Sequence, residues 1–107
     1  MPTYHQAEKL ATSWVDILLE GKAAIIPELT ITRPYGWVFF YQSREYILDP
    51  KVEHMLLGNA PIIVDRINGE IRVTGTARPT DEYLAEYEAT LPVASLNMKP
   101  EFPPRAM

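Results

Sequence analysis

The feature that most constrains the fold is the stretch GNAPIIVDRINGEIRVTG, which runs from Gly58 to Gly75. Two runs rich in β-branched residues flank Asn68-Gly69, a pattern typical of a β-hairpin. The connection is either a two-residue type I′ turn or a longer loop with a bulge at Gly69, closed by the Asp65 side chain. The two registers differ by two residues, so each side chain lies on the same side of the hairpin in both. One side is predicted to join the core (Ile62, Val64, Ile71 and Val73), and the other is mixed and open to water (Ile63, Asp65, Arg72 and Thr74).

A second hairpin is predicted upstream, around the aromatic run GWVFFYQS. The turn Arg33-Pro34-Tyr35-Gly36 would join residues 29–32 to residues 37–42, because proline presets φ at the second turn position and glycine closes the turn. Side chains alternate along a strand, which places Trp37, Phe39 and Tyr41 on one face and Val38, Phe40 and Gln42 on the other. Either both faces are covered, by helices and by the tail or a connection, or part of the Trp37/Tyr41 face is open to a partner.

Two helices are predicted, one on each side of the hairpins. The first begins at a capping box formed by Thr3 and Gln6 and ends at Gly21, and its apolar residues recur with a helical period. The second covers PTDEYLAEYEATL, residues 79–91, with acidic residues in its first turn. A brief helical turn is predicted at residues 50–57, after the Asp49-Pro50 break. This order of elements predicts an α+β fold with about four antiparallel strands.

The chain is short enough to be one domain with a single core. We place that domain at residues 1–91 and assign residues 92–107 to a tail that contains four prolines. A proline-rich tail of this kind is expected to be extended or disordered, and to dock on the sheet, if at all, through Leu96, Met98 and Phe102.

Composition argues against several classes of function. The chain has no cysteine, which rules out disulfides and thiolate metal sites. Its formal charge of −4 argues against nucleic-acid binding and is compatible with a basic protein partner. No apolar run approaches the roughly 18 residues that span a membrane, and the N-terminus lacks the pattern of a signal peptide. We therefore expect a cytoplasmic protein that does not bind membranes.

The candidates for catalysis are weak. His5 and His54 have no second ligand at helical spacing, so no metal site is predicted. The serines stand in no nucleophile motif, and glycine-rich phosphate loops are missing. Glu82 and Glu86 could form an acid–base pair, but a solvated acidic helix face is the better interpretation. We predict no enzyme activity, no catalytic residue and no cofactor.

Residues 35–88 resemble the YrhB-like immunity proteins, the thirty-fifth family of immunity proteins of bacterial polymorphic toxin systems. The resemblance rests on five motifs: Gly36-Trp37, Gly58-Asn59-Ala60-Pro61, Asn68-Gly69-Glu70, Gly75-Thr76-Ala77 and the pair Tyr83/Tyr87. It extends more loosely to the first helix and does not include the tail. It implies a cytosolic protein that neutralises a cognate toxin by binding it, and also chaperone-like, heat-stable behaviour. It supplies no catalytic residues.

The expected function is therefore toxin binding, either one-to-one or as a homodimer. The alternative is a holdase that binds many unfolded clients through an apolar patch. A standard interface has aromatic anchors and a polar rim. We predict Trp37 and Tyr41 as the anchors and Glu45, Asp49 and Glu53 as an acidic rim.

Overall fold

A computed structural model describes residues 1–104 and confirms the α+β class. Within these residues the helices are α1 (Tyr4–Leu18), α2 (Arg44–Leu48), α3 (Thr80–Ala89) and α4 (Val93–Leu96). The strands are β1 (Ala23–Ile25), β2 (Ile31–Arg33), β3 (Gly36–Phe39), β4 (Tyr41–Ser43), β5 (Ile62–Asp65) and β6 (Ile71–Val73). Short 3₁₀ turns lie at Pro27–Leu29 and Val52–His54.

The two predicted hairpins form one antiparallel sheet with the strand order β2-β3-β5-β6. Trp37 of β3 lies opposite Thr32 of β2 on one side and opposite Val64 of β5 on the other. The aromatic run, predicted as one strand, is two strands: it leaves this sheet at Phe40 and continues as β4, which pairs with β1 in a second sheet. The carbonyl of Phe40 accepts the Ile26 N–H at 2.9 Å, so the change of sheet leaves this backbone group satisfied.

The loop between β5 and β6 is the longer of the two predicted alternatives. Gly69 has φ +74°, and its N–H donates to the Asp65 carbonyl at 2.8 Å. The Asp65 carboxylate accepts the Ile67 N–H at 2.7 Å and so closes the loop. Ile62 lies opposite Val73, as the predicted facing requires. The predicted burial of Val73 is wrong, because this residue lies on the edge strand β6 and is 56% exposed.

Helix α1 covers one face of the sheet. Its capping box is confirmed, because Gln6 N–H donates to Thr3 Oγ1 and Thr3 N–H donates to the Gln6 side chain. The buried residues of this first core are Tyr4, Ala7, Ala11, Val15, Ala23, Trp37, Phe39, Tyr41, Ile62 and Val64. Small alanines on α1 allow the helix to approach the large side chains of the strands closely.

Helix α3 and the segment after it cover the opposite face. The second core contains Tyr35, Val38, Ile63 and Leu84, with Tyr87, Leu91 and Leu96 packed against them. The prediction that the Ile63/Asp65 side is open to water is wrong for these two residues, which are 2% and 3% exposed. Asp65 is accommodated because its carboxylate accepts hydrogen bonds from the Tyr87 hydroxyl and the Ile67 N–H.

The tail is ordered as far as residue 104 and packs against the first helix and the sheet. The Glu101 carbonyl accepts the Trp37 indole N–H at 2.7 Å, and the Lys99 carbonyl accepts from Arg66. Disorder, one of the two expected states of the tail, is therefore wrong for residues 92–104, while residues 105–107 lie outside the described part of the chain. Docking through Leu96 is confirmed, whereas Phe102 is 70% exposed. The domain boundary at residue 91 stays a prediction.

Burial and neighbouring carboxylates raise the pKa of several tyrosines. The pKa of Tyr4 rises to about 12, chiefly through burial and then through its hydrogen bond to Glu8. Burial, followed by hydrogen bonds to Glu88 and Asp65, also raises the pKa of Tyr35 and Tyr87 well above its usual range. The native state therefore favours the protonated phenols.

We expect alkaline pH to unfold the protein. A phenol whose pKa is higher in the folded state contributes its full stabilisation below the unfolded pKa of about 10, and loses it as the pH rises through the folded value. The free energy of unfolding, measured by urea denaturation, should therefore fall as the pH rises from about 10 toward 12. The fall should be smaller in Tyr87→Phe. A stability that stays constant over this range, or an unchanged fall in the variant, would contradict the expectation.

Candidate functional site

The two aromatic residues predicted as anchors are buried, so this part of the prediction is wrong. Trp37 is 0% exposed and Tyr41 is 5% exposed. The Trp37 ring packs edge-on against Tyr4 at a centroid distance of 5.9 Å, and Tyr41 packs in the same way against Trp14 at 6.1 Å. Of the two interpretations of this face, the covered one is confirmed: α1 and the tail exclude a partner from it.

The predicted acidic residues lie on a different feature, residues 44–57, which we call the α2 segment. It contains α2, the 3₁₀ turn Val52–His54 and the residues that connect them. Two side chains at the end of β4 hold it. The Ser43 hydroxyl accepts the Tyr46 N–H at 3.0 Å, which caps α2, and donates to the His54 carbonyl at 2.5 Å.

Gln42 holds the far end of the same segment. Its side-chain oxygen accepts the Leu56 N–H at 2.5 Å, and its side-chain nitrogen donates to the Leu56 carbonyl at 3.4 Å. The amide thus pairs with Leu56 as a neighbouring strand would. Arg44 adds a third attachment, because its Nε donates to the Gly21 carbonyl at 2.8 Å. A segment with little regular structure is therefore fixed at both ends.

Apolar side chains on the α2 segment face solvent. Leu48, Val52 and Leu57 are 85%, 83% and 82% exposed. Five of the fourteen exposed large apolar residues of the described chain lie within residues 47–57, the other two being Ile47 and Met55. Single exposed apolar residues are normal, but a concentration of them on one segment is typical of an interaction surface.

Carboxylates alternate with these apolar residues. Glu45 and Asp49 lie on either side of His54, whose Nε2 is 3.9 Å from a Glu45 oxygen and whose Nδ1 is 3.9 Å from an Asp49 oxygen. The Glu45 side chain is 80% exposed and that of Asp49 52%. Glu53 is also exposed. The three predicted rim residues thus lie on one segment, where Lys51 pairs with Asp49 at 3.4 Å and Glu45 and Glu53 are exposed.

A recess of about 260 Å³ lies beside the α2 segment. Leu19 and Leu56 contribute apolar surface to it, and Lys22, Glu45, Glu53 and His54 contribute polar groups. Glu45, Glu53, His54 and Leu56 belong to the α2 segment, so the recess is part of the same surface.

In the carboxylate pair considered for catalysis, Glu86 is already paired with a guanidinium group. Glu86 forms an ion pair with Arg78 at 2.6 Å, and this contact lowers the pKa of the Glu86 carboxyl. Within residues 1–104, no group of three or more His, Asp or Glu side chains is placed to hold a metal ion. No helix in this range is long and apolar enough to cross a membrane.

Sequence reasoning missed the apolar part of the surface. It identified Glu45, Asp49 and Glu53 but passed over Ile47, Leu48, Val52 and Leu57. A signal was available: Asp49-Pro50 interrupts these residues, so no single helix or strand could bury them all.

Fold and surface together define a small α+β domain with both sheet faces covered and a segment of exposed apolar and charged residues attached outside its core. The chain belongs to the Immunity protein 35 family, whose model matches residues 5–90. It is also 36% identical over 88 residues to the "Uncharacterized protein YrhB" of Escherichia coli (strain K12). The aligned region covers 82% of this chain and 90% of that protein. No solved structure gives a significant match.

Proposed function

We propose that this protein binds and neutralises a cognate toxin in the cytoplasm, and that the α2 segment is its docking surface. Membership of a family of immunity proteins supports the class of partner. The observation that carries the choice of surface is the exposure of Leu48, Val52 and Leu57 on a segment held by Gln42 and Ser43. A preorganised apolar surface loses little conformational entropy on binding, which favours high affinity.

The acidic residues indicate the character of the partner. Glu45 and Glu53 place negative charge beside the apolar side chains, Asp49 is paired with Lys51 at 3.4 Å, and the chain as a whole carries −4. Opposite potentials speed encounter, so the matching surface of the toxin is expected to be basic. The recess beside Glu45 can receive one polar side chain of the partner, which would meet the carboxylates of Glu45 and Glu53 and the ammonium group of Lys22.

The experiment pairs this protein with the toxin encoded beside its gene. Co-expression should protect cells from that toxin, and calorimetry on the two purified proteins should detect the formation of a stable complex. Leu48→Ser combined with Val52→Ser should weaken binding by about tenfold or more, because central apolar contacts dominate interface energies. Ile17→Ser is the matched control, since Ile17 is 81% exposed on α1, outside the segment.

Each outcome bears on one part of the proposal. If the toxin kills cells that express this protein fully, the function is wrong. If Leu48→Ser/Val52→Ser binds as tightly as the original chain, the surface is wrong. Charge reversal by Glu45→Lys and Asp49→Lys should slow association and reduce its salt dependence.

The second candidate function is a holdase, favoured by the same exposed apolar residues. A holdase would suppress the aggregation of several unrelated unfolded proteins at similar concentrations. If the protein suppresses the aggregation of none of these clients but binds the neighbouring toxin tightly, the holdase function is wrong and the immunity function is supported. Broad suppression without selective binding would replace it.

A further inference from the structure

Strand β6 forms one edge of the four-stranded sheet. The Asp65 N–H donates to the Glu70 carbonyl at 2.8 Å, and the Thr74 N–H donates to the Pro61 carbonyl at 3.0 Å. Along an antiparallel ladder, hydrogen-bonded residue pairs alternate with non-bonded pairs. The backbone N–H and carbonyl of Arg72 therefore point toward β5, whereas those of Ile71 and Val73 point away from the sheet. In the described part of the chain, no hydrogen bond reaches these outward groups from another element.

We propose that two copies of this chain associate through their β6 edges, in an antiparallel pair centred on Ile71. This register uses the outward backbone groups, because the Ile71 N–H and carbonyl of each copy pair with those of the other. It joins the two four-stranded sheets into one continuous sheet and removes an exposed edge from each.

Charge complementarity selects this register. Centring on Ile71 places Glu70 of one copy opposite Arg72 of the second copy, and Arg72 opposite Glu70. Within one chain the same two side chains already form an ion pair at 2.8 Å, with 44% and 55% of their surface exposed. Two such pairs facing each other form a network of four alternating charges. The neighbouring register, centred on Arg72, would instead oppose two guanidinium groups, which is destabilising.

The apolar side of the edge also fits a second copy. Val73 is 56% exposed, and the proposed register places it opposite Gly69 of the other copy, where no side chain obstructs it. A shallow hollow of about 550 Å³ adjoins Gly69, and Met1, Pro2 and Leu10 line part of it. Val73 of the second copy would lie beside this hollow. The residues involved differ from those of the α2 segment, so the proposal does not depend on the toxin-binding function.

A contact built on one short strand belongs at the small end of interface sizes, below about 1,200 Å², so the dimer should depend on concentration. Sedimentation velocity should show a reversible monomer–dimer equilibrium. Glu70→Arg alone, or Arg72→Glu alone, should raise the dimer Kd by about tenfold or more, because each change places like charges opposite each other. Both side chains are exposed, so each variant should fold, which circular dichroism can confirm.

Mixing the two single variants separates association from a structural role within one chain. In an equal mixture, each like-charged edge meets an edge of opposite charge, so a heterodimer should form with an affinity near that of the original chain. The double variant Glu70→Arg/Arg72→Glu should also dimerise. A chain that stays monomeric at about 1 mM overturns the proposal, as does a mixture that associates no better than either variant alone.

Discussion

Replacing Trp37 by alanine should lower the free energy of unfolding by about 3 to 5 kcal/mol. The ring is 0% exposed, packs against Tyr4 and lies in the first core with Phe39. Its removal leaves a cavity that the surrounding side chains can fill only in part, and the Glu101 carbonyl loses its hydrogen bond from the indole. Denaturant titration measures the loss, which is a large fraction of a small domain's stability.

Two control variants identify the cause of the stability loss in Trp37→Ala. Trp37→Phe keeps an aromatic ring but removes the N–H that Glu101 accepts, so it should cost less than Trp37→Ala. Leu48→Ala alters a side chain that is 85% exposed and should change stability by no more than about 0.5 kcal/mol. If Trp37→Ala were as well tolerated as Leu48→Ala, the assignment of Trp37 to the core would be wrong.

Gly36→Ala should lower the free energy of unfolding by about 3 kcal/mol or more, by overpacking at a backbone contact. A Cβ at this position would lie 2.2 Å from the Val64 carbonyl oxygen and 3.2 Å from the Arg66 nitrogen. Both obstacles are backbone atoms, so they cannot rotate away as the end of a side chain could. The central pairing of β3 with β5 would have to open to admit the methyl group.

Gly58→Ala provides the comparison for this prediction. Gly58 has φ +73°, which strains any other residue, but a Cβ there would meet nothing within 4 Å. Its cost should therefore be limited to backbone strain of about 1 to 2 kcal/mol. Equal losses in Gly36→Ala and Gly58→Ala, again measured by denaturant titration, would show that the close approach of β3 to β5 contributes nothing.

The hairpins and the main helices were predictable because their signals are local. The capping box at Thr3 and the glycine-containing loop between β5 and β6 each act over a few residues. Strand β1 was missed because it has only three residues, AAI, and is stabilised by pairing with β4. The change of sheet at Phe40 was missed for the same reason, since nothing in the run GWVFFYQS marks where one partner strand replaces another.

The candidate surface was predictable only in its charges. Acidic residues are exposed in most contexts, so Glu45, Asp49 and Glu53 could be placed on the outside from residue type alone. Trp37 and Leu48 could not be placed in this way, because either residue type occurs in a core or at an interface. In the structure, Trp37 is buried in the core and Leu48 is exposed.

By itself, the sequence determined the α+β class, the presence of the two hairpins and which residues of β5 and β6 share a side, because alternation, turn residues and caps act between near neighbours. Only the tertiary structure decided that the tail covers Trp37, that Asp65 is buried beneath Tyr87, and that the α2 segment is held outside the core. Those outcomes depend on contacts between residues far apart in the chain, and on which apolar surfaces are covered first when the layers pack together.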